Sequence, residues 1–216
     1  ARRAGRGEVG HIELGYVASA VYSGVLQRQV QAFSRDCSEV SLNVQEAPMA
    51  DLPLSVVEGR FDLGYVRSPM ALPPELEAIG LNAEGFVLAL TDDSWLTRLK
   101  GISAQHLQNE TFILPEQISG TLQVAAQGGY APRLGAQPGG LVAVIALVSL
   151  GQGVAVVPES VVGHISLPNV IYRPIEGCAA TSWLSLIHRR FEKSPVVARY
   201  IAKVKHDFRT FTPAAN

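Results

Sequence analysis

Two near-copies of one phrase, Glu13-Leu14-Gly15-Tyr16-Val17 and Asp62-Leu63-Gly64-Tyr65-Val66, constrain this chain most. Each reads as a buried strand that leads into a turn and then a helix. Between them the pattern alternates. A strand over residues 11–17 precedes a helix with Tyr22, Val25, Leu26, Val30 and Phe33 at helical spacing and Ser19 as its expected N-cap. A second strand over residues 41–46 ends at Ala47-Pro48-Met49, before a helix capped near Asp51 and closed by Gly59. Strand, helix, strand, helix, strand in that order predicts a parallel sheet with right-handed crossovers. In such sheets ligands sit at the carboxyl ends of the strands, facing the amino ends of the following helices. The echo itself is used for fold alone, since shared strand chemistry accounts for it as well as duplication does.

After Pro69 the pair Pro73-Pro74 marks a loop, residues 86–90 a strand, and a second alternating series follows. It comprises a helix near residues 103–107, a strand over 111–114, a helix from Thr121, a helix over 141–150 and a strand over 154–157. Two more strands, over 171–174 and 182–188, precede a last helix started by Ser194-Pro195 and carrying Val197, Tyr200, Ile201, Val204 and Phe208 on one face. So late an element packs most easily on the first lobe. The chain then crosses twice between lobes, near Ala89 and near Glu176, which makes a hinge. A length of 216 residues with 47% hydrophobic content suits two lobes of about 100 residues each.

A formal charge of -1 and a pI near 6.6 leave no basic field for non-specific nucleic-acid binding. Cys37 and Cys178, without a short Cys-Cys spacing, point to a reducing compartment and against a disulfide framework or a zinc ribbon. A cytoplasmic address follows. The apolar stretch 139–157 approaches the length of a membrane helix, but Gly151-Gln152-Gly153 divides it into a helix-like and a strand-like half, so no membrane span is expected. The amino end, Ala1-Arg2-Arg3-Ala4-Gly5-Arg6-Gly7, carries no signal peptide and reads as an excised fragment.

No nucleophile elbow, zinc-protease pair, P-loop or complete dinucleotide fingerprint occurs. The five histidines are scattered, and a Ser-His-acid set would have to be assembled by the fold. No enzyme activity, cofactor or metal is expected. What the chain offers is helix amino ends, after Ser19, after Met49, after Ser119-Gly120-Thr121 and after Gly139-Gly140, whose N-H groups and dipoles receive a carboxylate or another small anion. These residues equally serve as caps of their own helices. Arg67, just past the strand of residues 62–66, either pairs with an acid in the cleft or bridges to Glu84 or Asp92, with Glu46 as a partner that would orient it. Met49 suits an adaptable pocket wall, or the core.

Four stretches resemble the effector-binding domain of LysR-type transcriptional regulators: residues 2–10, residues 13–20, Gly59-Arg60-Phe61-Asp62-Leu63-Gly64, and Leu147-Val148-Ser149-Leu150-Gly151-Gln152-Gly153-Val154-Ala155-Val156-Val157-Pro158. The last is the most specific. The resemblance implies an α/β fold of two Rossmann-like lobes joined by two crossover strands, as in type II periplasmic binding proteins, with the inducer held between them. It places residues 1–10 at the end of a linker helix, 11–88 and 177–216 in lobe I and 89–176 in lobe II. A winged helix-turn-helix, through which DNA is contacted, is absent from these residues. It further implies a homodimer or homotetramer, and ligand contacts at Ser19, Ala20, Met49, Gln117, Ile118 and Gln137, to which Arg67 is added from its place at the strand's carboxyl end. The segment Ser19-Ala20-Val21-Tyr22 is most similar to the branch that responds to muconates and other aromatic-degradation intermediates. Pro48-Met49 departs from that branch, which favours a bulkier or less charged effector. Two alternatives remain beside a regulator's sensing domain: a solute-binding protein and an enzyme on the same fold. If Arg67 and Ser19 contact the effector, their replacement by Ala should abolish binding and leave the ligand-free stability nearly unchanged.

Overall fold

The computed structural model describes residues 5–211, with side chains through Asp207. The expectations resting on Arg2, Arg3, Ala4 and the side chain of Phe208 lie outside these. The chain divides into two units: one runs to Asn82 and resumes at Leu184, the other is Ala83–Trp183.

The first unit is built on a sheet in which β1 (Gly10–Tyr16) lies between β2 (Val40–Glu46) and β3 (Leu63–Ser68), parallel to both. Beyond β3 come β11 (Ser182–Arg189) and then β4 (Leu76–Glu84). The two echoed phrases pair residue for residue: Leu14 with Leu63, Gly15 with Gly64, Tyr16 with Tyr65. Their glycines have a shared physical reason. A Cβ on Gly15 would collide with Leu52 and press on Phe61, and one on Gly64 would collide with Ile187 and touch Val56 at 3.4 Å. The two bare positions form a flat seat for α2 (Leu52–Val57), which buries Leu52 and Val56 there.

Side chains alternate along a strand, so Leu63, Tyr65 and Arg67 share the opposite face of β3. There Tyr65 meets α1 (Val25–Asp36) and α5 (Pro195–Phe211): its hydroxyl bonds to Gln29 and lies 2.9 Å from the Tyr200 hydroxyl. Phe33 and Tyr200 pack with their rings tilted by 53° and centroids 4.7 Å apart. Burial pushes both phenols above their ordinary range. The expected faces of these helices hold, since Val25, Leu26 and Phe33 of α1, and Val197, Tyr200, Ile201 and Val204 of α5, are buried.

Ser19 does not cap α1. The helix begins at Val25 behind Gly24, which is left-handed at φ 71°, while Ser19 belongs to a separate 3-10 turn, Ala18–Val21. Tyr22 therefore precedes the helix. Asp51 stands at the start of α2 but makes no side-chain cap bond. Gly59 closes α2 as expected, left-handed at φ 76°, with its N-H on the Val56 carbonyl at 3.3 Å and that of Arg60 on Ser55 at 2.9 Å. The strand β4 was not expected. It follows the loop marked by Pro73-Pro74 and runs out of the first unit, as β11 runs back into it. Both changes of unit thus fall within or beside strands, at 82/83 and 183/184, rather than near Ala89 and Glu176.

The second unit holds a four-stranded sheet of order β6-β10-β5-β9, made from β5 (Phe86–Thr91), β6 (Ile102–Ser103), β9 (Ala155–Pro158) and β10 (Val170–Glu176). Here β5 runs antiparallel to both its neighbours. A small parallel pair, β7 (Thr111–Phe112) with β8 (Arg133–Leu134), accompanies α3 (Ser119–Gly128) and α4 (Leu141–Ser149). Its core joins Phe86, Leu88 and Leu90 to Phe112, Val124, Val154 and Val156.

The apolar run divides where the glycines stand. Gly151, left-handed at φ 71°, ends α4 with its own N-H on Val148 at 2.9 Å and that of Gln152 on Leu147 at 3.0 Å. Gly153 lies so close to the Thr111 carbonyl that a Cβ there would collide with backbone, and its φ is 149°. Among the described residues no helix is long and apolar enough to cross a membrane.

Candidate functional site

In the first unit the parallel strands carry their carboxyl ends to one edge. The Val17 N-H reaches the Tyr65 carbonyl at 3.0 Å, and that of Ala20 reaches Val17 at 2.8 Å, which curls the chain and sets Ser19 beside β3. Arg67 lies two residues beyond Tyr65. Its Nε donates to the Ser19 hydroxyl at 3.2 Å and an Nη to the Ser19 carbonyl at 2.8 Å. Arg67 is fully buried, and a buried guanidinium requires acceptors in this way. Ala20 is buried beside Ser19. The next loop joins the same edge: Ala47 N-H bonds to Tyr16 at 3.0 Å, and Asp51 and Leu52 turn back onto Pro48. Met49 in that loop is half-buried and packs against the unit's core, the commoner outcome for a methionine. Glu46 is exposed.

In the second unit a ladder of backbone bonds does the positioning. Ile113 N-H bonds to Val154 at 2.8 Å, Leu114 to Ala136 at 2.9 Å, and Glu116 to Gly139 at 2.9 Å. Segments 111–116 and 133–139 thus run side by side, which brings Gln137 to the end of the unit that holds Gln117 and Ile118. Gln137 is exposed, whereas Gln117 is buried and accepts from the Ser182 hydroxyl at 2.9 Å. Ile118 stands at the N-cap of α3, half-buried against the core.

Sequence reasoning noted this helix start but left Ser119 and Thr121 out of the ligand set. Their hydroxyls are buried and have no hydrogen-bond partner among the described residues. Gly120 between them lets the first turn approach the Phe86 ring, where a Cβ would come within 2.6 Å. Leu122 is the first residue of α3 to donate back, to Ile118 at 3.1 Å, so the amides of Ser119, Gly120 and Thr121 precede the first intrahelical bond. The helix dipole adds positive potential at the same place. The legible signal was the Ser-Gly-Thr run at a helix start.

The fold does assemble one row of hydrolase-like residue types. His11 Nδ1 lies 2.7 Å from the Ser41 hydroxyl and its Nε2 2.6 Å from Glu13, whose other oxygen accepts from Asn43 at 2.7 Å. The His11 bond holds the Glu13 carboxyl below its ordinary range. The His11 and Glu13 side chains are 50% and 33% exposed, so water competes for each contact and the row acts as a cross-strand staple between β1 and β2. Among the described residues no group of three metal-ligating side chains occurs.

Comparison with known proteins assigns these features a context. A family model described as the LysR substrate binding domain matches residues 5–209. The chain is 26% identical over 208 residues to the HTH-type transcriptional regulator YnfL of Escherichia coli (strain K12), covering 93% of this chain and 69% of that protein. To the HTH-type regulator AlsR of Bacillus subtilis (strain 168) it is 25% identical, with 93% and 68% covered. Among solved structures, the effector binding domain of QuiR in complex with shikimate matches at a TM-score of 0.82 and 18% identity, covering 95% of this chain and 100% of that one. The BenM effector binding domain with its effector benzoate matches at 0.77 and 21%, with 96% of each covered. At these identities the structures establish the fold: two Rossmann-like lobes joined by two crossover strands, of the type II periplasmic-binding-protein kind.

Proposed function

The chain belongs to the LysR substrate binding domain family and is the effector-sensing domain of a LysR-type transcriptional regulator, and from that premise we propose that its effector is a small organic acid or an aromatic-derived acid. The observation that carries the reading is the amino end of α3, where two buried hydroxyls without a partner among the described residues and three amides that precede the first intrahelical bond are donors for which a carboxylate supplies acceptors. The proposed contacts are Ser19, Ala20, Met49 and Arg67 in the first unit, and Gln117, Ile118 and Gln137, together with Ser119 and Thr121, in the second. The half-buried Met49 adds apolar surface, consistent with an effector less charged than a dicarboxylate.

In this reading the bound compound is not transformed. Binding shifts the balance between conformations of the regulator by differential affinity. A winged helix-turn-helix outside these 216 residues contacts DNA, the regulator works in the cytoplasm, and its copies associate as homodimers or homotetramers. A thermal-shift series with benzoate, shikimate and cis,cis-muconate tests the reading, because a ligand that binds the native state alone raises the melting temperature. At least one acid should raise it. Ser119→Ala and Gln137→Ala should diminish that rise and leave the ligand-free melting temperature unchanged. A flat response to every acid, or a rise indifferent to both substitutions, sinks the proposal.

A further inference from the structure

The start of α3 rests on both strands by which the chain passes between the units. The second unit begins at Ala83 and ends at Trp183. Phe86 opens β5 just inside the first limit, and Ser182 opens β11 just inside the second. Each meets the segment that leads into α3, and each does so within the second unit.

Phe86 makes the apolar contact and is 7% exposed. One edge of its ring lies against Gly120, where a Cβ would come 2.6 Å from Cε1, 2.8 Å from Cδ1 and 2.9 Å from Cζ. Only a residue without a side chain lets the first turn of α3 settle on that ring. Ser182 makes the polar contact. It is 0% exposed and Gln117 is 8% exposed. The Ser182 hydroxyl donates to Gln117 Oε1 at 2.9 Å, between residues 65 positions apart. A carbonyl oxygen only accepts, so this bond sets which way the amide faces and turns its N-H donors away from the strand. Without the hydroxyl the two ends of the amide, nearly equal in shape, would compete for the same place. The turn is thus seated by packing, while the Gln117 amide beside it is held by one hydrogen bond.

We propose that Ser182 is a positioning residue for the effector, acting through the Gln117 amide. The inference rests on the reading of the α3 start as the seat of an acid. A carboxylate needs donors, and a Gln117 carbonyl turned toward it would repel it. Ser182 therefore favours acids over their uncharged carboxamides, which either end of the Gln117 amide can meet. The same bond carries a signal. An acid that holds the Gln117 amide also holds Ser182, so occupancy at α3 suppresses local opening of the strand that leaves the unit there.

The probe is whichever of benzoate, shikimate and cis,cis-muconate raises the melting temperature most, titrated by calorimetry into the full chain beside its own carboxamide. Ser182→Ala should weaken the acid about tenfold and the carboxamide no more than about twofold. Ser182→Thr, which returns the hydroxyl, should restore the preference. Ser185→Ala is the reference, because it removes from the same strand a hydroxyl that is 3% exposed and 3.2 Å from Ser68, outside the proposed contacts. It should leave both affinities unchanged. Hydrogen exchange over residues 184–189 should slow when the acid binds the parent or Ser185→Ala, and not when it binds Ser182→Ala. Where Ser182→Ala is too unstable to titrate, Gln117→Glu keeps the acceptor for Ser182 and removes the donors: the acid should cease to bind while the carboxamide still binds. Equal losses for acid and carboxamide, or a loss as large in Ser185→Ala, would make Ser182 a structural residue and overturn the proposal. If no acid raises the melting temperature, the effector reading falls and this inference with it. If an acid binds in a way that Ser119→Ala weakens and Ser182→Ala does not, this inference falls alone.

Discussion

The corner at Arg67 and the amino end of α3 are both buried and polar, yet they are finished differently. At Arg67 the fold supplies the acceptors itself, because the turn after β1 delivers the hydroxyl and carbonyl of Ser19 to one guanidinium. At α3 the hydroxyls of Ser119 and Thr121 are equally withdrawn from water, but no partner among the described residues meets them. An internally satisfied group is part of the architecture, and removing it costs folding energy. An unsatisfied one costs energy while it is present, and it is kept where something else is meant to complete it. In the proposed reading the first corner is a preformed framework for recognition, and the second is where an effector would gain binding energy.

The comparison is put at greatest risk by Arg67→Ala. Because Arg67 is fully buried, the expectation that its removal spares ligand-free stability does not survive the structure. Charge-assisted bonds contribute about 1.5–3 kcal/mol, and the truncation also opens a void. A loss of about 3 kcal/mol is expected, read in urea denaturation, or a melting temperature lower by about 6–12 °C for a chain of this size. Arg67→Lys should recover part of it, since the charge returns without the planar fork. A melting temperature within a degree of the parent would mean that Ser19 and Arg67 do not hold each other, and the corner would have to be reclassed with α3.

Thr121→Val tests the other side with a smaller effect. The replacement keeps the shape and removes a hydroxyl that is 0% exposed. If that hydroxyl is unmet in the free protein, stability should be unchanged or should rise by about 1 kcal/mol. Affinity for an acid that shifts the melting temperature should fall about tenfold, the equivalent of about 1.4 kcal/mol. Destabilisation beyond about 2 kcal/mol, with affinity unchanged, would assign Thr121 an internal partner and erase the contrast with Arg67.

How far the sequence reveals these two places follows from what local pattern can encode. The strand-helix alternation of the first unit was legible because each apolar face repeats with its own period, whereas the register in which Gly15 and Gly64 pair emerged only with the structure. The strand β4 was not legible. The prolines before it signalled a loop, and its pairing with β11 joins residues about a hundred positions apart. Ser19 was identified as polar and well placed but assigned to the wrong task, since a serine before an apolar helix has the composition of a cap whether or not the helix starts there. Its bond to Arg67, 48 positions away, depends on two strands ending at the same edge. Thr121 was noted at a helix start but left out of the ligand set for the opposite reason: nothing in a local pattern records that a hydroxyl lacks a partner.

The smallest expected effect comes from a polar contact that water reaches, the counterpart to both buried corners. Lys203 Nζ of α5 lies 2.6 Å from Asp36 at the end of α1 and 3.6 Å from Asp207. The Lys203 bond holds the Asp36 carboxyl below its ordinary 3.8, and Asp36 in turn holds the Lys203 amine above its ordinary 10.5. The signs fix a window. A depressed carboxyl stabilises the fold above its unfolded pKa and loses that contribution as pH falls through the folded value. A raised amine stabilises below its unfolded pKa and loses that contribution as pH climbs through the folded value. The pair thus contributes across the neutral range and disappears at both extremes. Because the Asp36 side chain is 57% exposed, screening keeps the contribution small. Asp36→Asn should lower the melting temperature slightly at pH 7, by less at molar salt, and not at all below pH 3. A difference that persists in acid or in high salt would show that Asp36 works through packing, and exposed pairs would then be no reference for what burial adds at Arg67 and withholds at Thr121.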